Sequence, residues 1–347
     1  MEELFVTYLK ERLPLVERAL ADAADEPLAD GAVSDDLVRY LYAPLRRFTA
    51  SGGKRVRPVL ALLGAESVGG RAEDALSCAA AVELFQSAAL IHDDIADEGE
   101  LRRGEPCLHR VEGEGLAINA GDLALTQVFE VVLRDESLSA ERKLRALDEL
   151  VRMERHTLEG QALDLGWVRD ARWDVTSEDY LYMVTSKTSW YSAAVPLYVG
   201  ALVGGGSEEA AQGLLEVGLT AGVAFQLADD LLNLVGDARA QGKDFRSDIT
   251  EGKRTLAVVW ALEHLDAASR EELVALLGSS ATDPTELARA VELIGQGGGI
   301  EHCRTLAGQM AERAKEGATG LAEAGHITVE ARDLLLSMSD FFVERAS

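Results

Sequence analysis

Helical periodicity runs through nearly the whole of this 347-residue chain, and little interrupts it. Pro is scarce, with 7 residues, and its spacing leaves long unbroken segments. No run of alternating Val, Thr and Tyr argues for a sheet. Aromatics make up 5% of the chain, while Ala, Leu, Glu and Arg dominate, a mixture that favours helix. The pattern predicts helices over about 2–24, 34–49, 58–68, 72–97, 115–134, 138–166, 177–203, 207–236, 248–264, 267–278, 283–296, 300–323 and 329–345. Turn signals such as "TASGGKRVRP", "DEGELRRGEP" and "GQGGG" separate them. No long linker and no solenoid repeat divides the chain, so 1–347 reads as one all-α domain. With 47% hydrophobic residues it has ample material for a large core.

The formal net charge is −26. Phosphate backbones need a basic face, so nucleic acid is excluded as a partner. An anionic small molecule would need a local basic cluster or bridging metal ions. Cys78, Cys107 and Cys303 form neither a metal spacing nor a disulfide framework, which fits a reducing, cytoplasmic setting. The start, "MEELFVTYLKERL", reads as an amphipathic helix, not a signal peptide. The uncharged run Thr188–Ser207 has the length of a membrane span. Pro196, several hydroxyls and a Gly-rich end make it a buried bundle helix instead, and no transmembrane segment is expected.

Within this helical frame, "LIHDDIAD" sets Asp93, Asp94 and Asp97 at the end of a long apolar helix, just before Gly99. Asp93 and Asp97 are one turn apart. Alone, the stretch is an even contest between a solvated face and a metal site. Carboxylates are disfavoured at a helix C-terminus, so a cation must offset them there. A second apolar run ends in Asp229 and Asp230, with Asn233 where a third acid would repeat the pattern. Asn offers only a neutral oxygen, a weaker ligand. Asp35 and Asp36 serve as a contrast, because capping after Ser34 explains them.

Basic residues gather beside these acids. Lys54, Arg55 and Arg57 lie on a Gly-rich loop, Arg102 and Arg103 follow the first acidic cluster, and Lys243, Lys253 and Arg254 follow the second. Each could be an ordinary surface charge. Lys187 is harder to dismiss, since the next 20 residues carry no charge and an unpaired buried lysine is costly. Arg grips phosphate oxygens as a fork and Lys as a point charge, so the set points to Mg²⁺-bridged diphosphate beside an apolar interior.

These residues resemble the polyprenyl diphosphate synthase family, the trans-prenyltransferases that include farnesyl and geranylgeranyl diphosphate synthases. "GGKRVRP", "ELFQSAALIHDDIAD…LRRG", "AGD", "GQALDL", "SKT", "FQLADD" and "SDITEGKRT" carry the resemblance in order and spacing. It implies an all-α isoprenoid synthase fold with a central cavity, a homodimer, and condensation of isopentenyl diphosphate with an allylic diphosphate. It also implies three Mg²⁺ held by Asp93, Asp94, Asp97, Asp229 and Asp230. Arg102, Lys187, Lys243 and Lys253 would meet the allylic diphosphate, and Lys54, Arg57, Gln86 and Arg103 the isopentenyl diphosphate. Gln86 stands where many members have His. Thr188 and Gln226 would flank the carbocation. Asn233 departs from the family's second motif, which puts metal affinity on that side in doubt.

The resemblance also bears on chain length. Aromatic residues one turn below Asp93 stop family products at farnesyl length. Here Ala88 and Ala89 leave the shaft open, which implies a geranylgeranyl-length or longer product. Phe85 is either its floor or ordinary core packing, and Phe129 is a further candidate on the next helix. Two other readings compete: a class I terpene cyclase, which lacks "GGKRVRP", and a non-catalytic subunit of a hetero-oligomeric synthase, which would lose the aspartates.

Overall fold

The expected periodicity resolves into seventeen α-helices in a computed structural model, which describes residues 2–24, 26–236 and 246–344. α1 (Glu2–Asp22) is followed by α2 (Ala32–Leu37) and α3 (Ala43–Ala50), joined through π-helical Val38–Tyr42. α4 (Val56–Ser67) and α5 (Leu76–Ala96) lead to a hairpin, β1 (Leu101–Arg102) and β2 (Glu105–Pro106), with Leu101 opposite Pro106. Next come α6 (Leu108–Glu112), α7 (Glu114–Arg134), α8 (Ala140–Arg169) and α9 (Ser177–Val184). π-Helical Thr185–Ala194 joins α9 to α10 (Val195–Val203), and α11 (Glu208–Val235) follows. The last six are α12 (Ser247–Thr250), α13 (Leu256–His264), α14 (Ala267–Gly278), α15 (Pro284–Gln296), α16 (Gly299–Glu323) and α17 (Val329–Val343).

Side-chain caps set many of the starts: Ser139, Thr176, Ser207 and Thr328 each accept a backbone N–H from the first turn that follows. Ser34 is no such cap. Its helix begins at Ala32 after Gly31, and Asp35 lies in the first turn, where the helix dipole favours it. The helix expected over 248–264 is broken. Residues 251–255 turn around Gly252, whose φ of 65° suits glycine, and leave α12 and α13 separate. The hairpin and α6 were not expected, being too short for a periodic signal.

The main core packs α4, α10 and α11 against α5, with Leu60, Leu63, Leu197 and Leu214 fully buried. The two ends of the chain meet there: the Phe5 ring lies 5.5 Å from that of Phe341, and Phe5 N–H donates to Ser337 Oγ at 3.0 Å. A second core under α13–α16 surrounds Tyr180 and Leu227. The segment Val195–Val203 is buried throughout, as a bundle helix should be. The helical stretch Ala72–Ala96 and α7 are long and apolar enough to cross a membrane, and the apolar windows are 72% and 39% buried in the bundle. α8 adds an unpartnered stripe. Leu144, Val151, Leu158 and Leu165 recur every seventh residue, and all are between 38% and 69% exposed.

Candidate active site

The C-terminal ends of α5 and α11 converge on a cavity of about 350 Å³. α5 lines it with Gln86, Leu90 and Asp93, spaced so that one helical face turns inward. α11 contributes Phe225, Gln226, Asp229 and Asp230. The π-helical segment supplies Lys187 and Thr188, and widening of this kind is common where a helix serves a site. That segment is clamped on both sides. A Cβ on Gly160 of α8 would lie 2.3 Å from Lys187 N, and one on Gly222 of α11 would lie 2.6 Å from Ser189 Cα. Only glycine permits these approaches.

The half-buried cations of the site are matched to acids. Lys187 Nζ donates to Asp164 Oδ2 at 2.5 Å. Burial acts to lower the Lys187 pKa, but Asp164 and Asp93 outweigh it and raise it, so the ammonium persists. Lys253 Nζ lies 3.0 Å from Asp97 Oδ2 and 2.5 Å from Glu251 Oε2. Arg102 on β1 forks onto Asp94, with Nε at 2.8 Å from Oδ1. These cations supply the offset that aspartates at the α5 C-terminus require.

The first aspartate cluster therefore divides. Asp93 lines the cavity and accepts from Gln161 Nε2 at 3.1 Å. Asp97 is the residue at which α5 ends. Burial and neighbouring Asp93 push its pKa up to about 6, against the pull of Lys253. Asp94 is 2% exposed, does not border the cavity and is engaged by Arg102. That placement makes Asp94 the anchor of Arg102, through Oδ1, while its Oδ2 has no partner among the described residues.

The second cluster is wired differently. Tyr180 Oη donates to Asp230 Oδ2 at 2.5 Å, Gln226 Nε2 donates to Asp230 Oδ1 at 2.7 Å, and Thr188 Oγ1 donates to Gln226 Oε1 at 3.0 Å. Burial, with Asp248 nearby, pushes Asp230 up to about 8. Asp229 has no hydrogen-bond or ion-pair partner among the described residues and stands open to the cavity. Asn233 lines the cavity and is engaged with α12. Its Oδ1 accepts Asp248 N–H at 3.3 Å and its Nδ2 donates to Ser247 Oγ at 3.2 Å, which pins α12 beside the cavity.

A second cavity of about 160 Å³ shares a wall with the first through Arg57, Gln86, Arg103 and Phe225, and adds Lys54. Arg57 donates to Tyr191 Oη and Ser192 Oγ at 3.2 and 2.9 Å and lies over the Tyr191 ring. Arg103 takes φ 56° in the hairpin turn and reaches Ser51 Oγ at 3.1 Å. Gln86 is 9% exposed, and its Oε1 has no partner among the described residues. Lys243 lies outside the described residues.

The chemistry of the donor set fits a hard divalent cation: carboxylate oxygens line a polar cavity. Among the described residues no three such side chains converge tightly enough to hold an ion alone. An ion here would draw on water and diphosphate oxygens, as Mg²⁺ ordinarily does.

The family model described as polyprenyl synthetase matches residues 38–294. The chain belongs to this family. A short chain isoprenyl diphosphate synthase of Methanothermobacter thermautotrophicus is 40% identical over 330 residues, covering 94% of this chain and 97% of that protein. The crystal structure of a geranylgeranyl pyrophosphate synthetase from Pyrococcus horikoshii matches with a TM-score of 0.86 at 34% identity, over 99% of this chain and 98% of that one. That of a geranylgeranyl pyrophosphate synthase from Corynebacterium glutamicum, complexed with isoprenyl diphosphate and magnesium, matches with a TM-score of 0.81 at 32% identity, over 99% and 98%. As a polyprenyl synthetase the chain is an all-α prenyltransferase of isoprenoid biosynthesis. The cyclase reading falls away.

Several members of this synthetase's site were not singled out from sequence. Gln161 and Asp164 sit in "GQALDL", three residues apart on one helical face, so their joint placement was readable there. Tyr180 meets Asp230 across 50 residues and gave no such signal. Arg254 reads from sequence as a basic residue after the second cluster, without its surroundings: 3% exposed, it stacks over Trp173 at 3.7 Å and donates from Nε to Arg172 O at 2.8 Å. Burial lowers its pKa to about 10. Phe85, Ala88 and Ala89 do not border the cavity: Phe85 and Ala88 are buried, Phe85 edge-on to Tyr191 at 5.5 Å, and Ala89 is half-buried beside Leu90, which does. Phe129 is half-buried against the main core.

Proposed function

We propose that this synthetase condenses isopentenyl diphosphate with an allylic diphosphate, with Mg²⁺, to give a geranylgeranyl-length or longer product. The pairing of two cavities supports this most directly. One combines open carboxylates with half-buried cations. The other is basic, and the two share a wall, so two diphosphates would sit with their hydrocarbon ends adjacent. Bound Mg²⁺ would contribute charge that stabilises the departing diphosphate, and Asp93, Asp97, Asp229 and Asp230 are the residues to hold it. Asp94 acts through Arg102.

The side chains then have distinct tasks. Arg102, Lys187 and Lys253 hold the allylic diphosphate and favour charge developing on it as the C–O bond ionises. Lys54, Arg57 and Arg103 grip the isopentenyl diphosphate, with Gln86 at the junction. Thr188 Oγ1 and Gln226 Oε1 turn oxygen density toward the allylic cation while the isopentenyl double bond attacks it. The departing diphosphate takes the proton released. Tyr180 holds Asp230 in place. The half-buried Ala89 leaves room beside α5 for the growing chain.

The whole chain acts as one domain, in the cytoplasm, with small-molecule partners. Its oligomer is a homodimer, which covers the heptad stripe of α8 and the exposed Ile118 and Leu133 of α7. α8 would then carry the interface on one face and Gln161 and Asp164 on another. The retained carboxylates speak against a non-catalytic subunit. Incubating the pure protein with Mg²⁺, isopentenyl diphosphate and each allylic primer tests activity and chain length together. Absence of turnover with every primer, before and after chelation and Mg²⁺ return, would reject the reading.

A further inference from the structure

Between Lys54 and Arg57 stands Arg55, which the sequence offers as one more loop charge. The structure buries it. Its side chain is 0% exposed, and all three arms are used: Nε meets Glu17 Oε1 at 2.8 Å, Nη1 meets Glu83 Oε1 at 2.5 Å and Nη2 meets Thr49 O at 2.5 Å. Its backbone is left-handed, φ 49°, at the residue before α4. That conformation is uncommon for arginine and persists where the side chain is held firmly.

Glu83 makes this arrangement consequential. It lies one turn below Gln86 on α5, its side chain is 4% exposed, and it lines the 160 Å³ cavity together with Lys54, Arg57 and Arg103. A buried carboxylate in the wall of an anion pocket would repel the anion. Arg55 is its ion-pair partner.

We propose that Arg55 is a positioning residue for the isopentenyl diphosphate pocket: it cancels the charge of Glu83 and fixes the backbone that carries Lys54 and Arg57. This rests on the reading that the smaller cavity binds isopentenyl diphosphate. Arg55 borders this cavity too, but three of its five N–H donors are spent on α1, α3 and α5, so its role here runs through Glu83 and the loop backbone.

The test is steady-state kinetics on the full chain with both substrates varied. Arg55→Met should raise the KM for isopentenyl diphosphate by roughly tenfold or more and leave that for the allylic primer within about twofold. Adding Glu83→Gln should restore much of the lost affinity, since the unpaired carboxylate is then gone. A merely structural arginine would raise both KM values together, or show no rescue by Glu83→Gln, and either result overturns the proposal. Arg55→Lys keeps the charge and serves if Arg55→Met does not fold. It should raise the isopentenyl KM by roughly threefold, and no change would equally overturn the proposal. Lys54→Ala and Arg57→Ala are measured in parallel. If neither moves the isopentenyl KM, the pocket reading itself fails, and the proposal falls with it.

Discussion

Lys187 Nζ lies 2.5 Å from Asp164 Oδ2, and the two residues reach each other from α8 and from the π-helical segment after α9. The pair faces the cavity, with Asp164 almost fully enclosed. Removing one member leaves the other as an uncompensated charge, which is far worse than never having had the pair. Asp164→Asn should lower kcat/KM for the allylic substrate by roughly a hundredfold. Steady-state assays with circular dichroism as the folding control would check it. A variant of near-normal kcat/KM would show that Lys187 is held without Asp164.

Asp93 borders the cavity and Asp94 does not, so substitutions at these neighbours should differ in kind. Asp93→Ala should reduce turnover by roughly a thousandfold or more while the protein stays folded. Asp94→Asn should weaken allylic diphosphate binding through Arg102 and leave the Mg²⁺ concentration for half-maximal rate little changed. Equal shifts in that Mg²⁺ concentration for both variants would return Asp94 to the ligand set.

Ala89 is half-buried, whereas Ala88 is sealed among Leu45, Phe48 and the alanines of α7. Ala89→Phe should therefore shorten the product toward farnesyl length, read by chromatography of the dephosphorylated alcohols. Phe85→Ala should open space behind Tyr191, which borders the cavity, and so lengthen the product, at a cost of about 3–5 kcal/mol of stability through the lost packing. A destabilised Phe85→Ala variant with unchanged products would assign Phe85 to the core alone.

Glu154 lies on the α8 surface between Val151 and Leu158, and burial raises its pKa to about 7 from 4.5. The folded state thus binds this proton more tightly than the unfolded state. Its contribution to stability is complete below about pH 4.5 and declines as pH rises to about 7. Glu154→Gln should raise Tm by about 1–2 °C at pH 8, about 1 kcal/mol after solvent screening, and scarcely at all at pH 4. Equal Tm shifts at the two pH values would contradict the assignment.

Much of the scaffold was readable because periodicity and turn residues are local. The long helices lie within a few residues of where "GGGSEE" or "GQGGG" would stop or start them. The aspartate clusters were readable too, since both lie at helix ends beside basic residues. Pairings across space were not. Nothing within the Lys187 segment names Asp164, and nothing near Asp230 names Tyr180. Asn233 looked like a weakened ligand because its spacing copies an acid. Its amide holds Asp248 N–H and Ser247 Oγ, a contact that depends on how the start of α12 folds back onto α11, which spacing along the chain does not give. Arg55 failed for the opposite reason: a charge on a Gly-rich loop looks solvated until Glu17 and Glu83 are seen around it.

Arg102, Lys187 and Lys253 each already hold a carboxylate. A diphosphate bound there, as proposed, would meet cations that are already neutralised. Each cation could share its remaining N–H donors between carboxylate and phosphate, so the balancing positive charge would have to come from metal ions beside Asp93, Asp97, Asp229 and Asp230. Binding would then complete only when anion and metal come together. Such a site would discriminate against stray phosphates by its resting neutrality, in a chain whose overall charge of −26 already turns anions away.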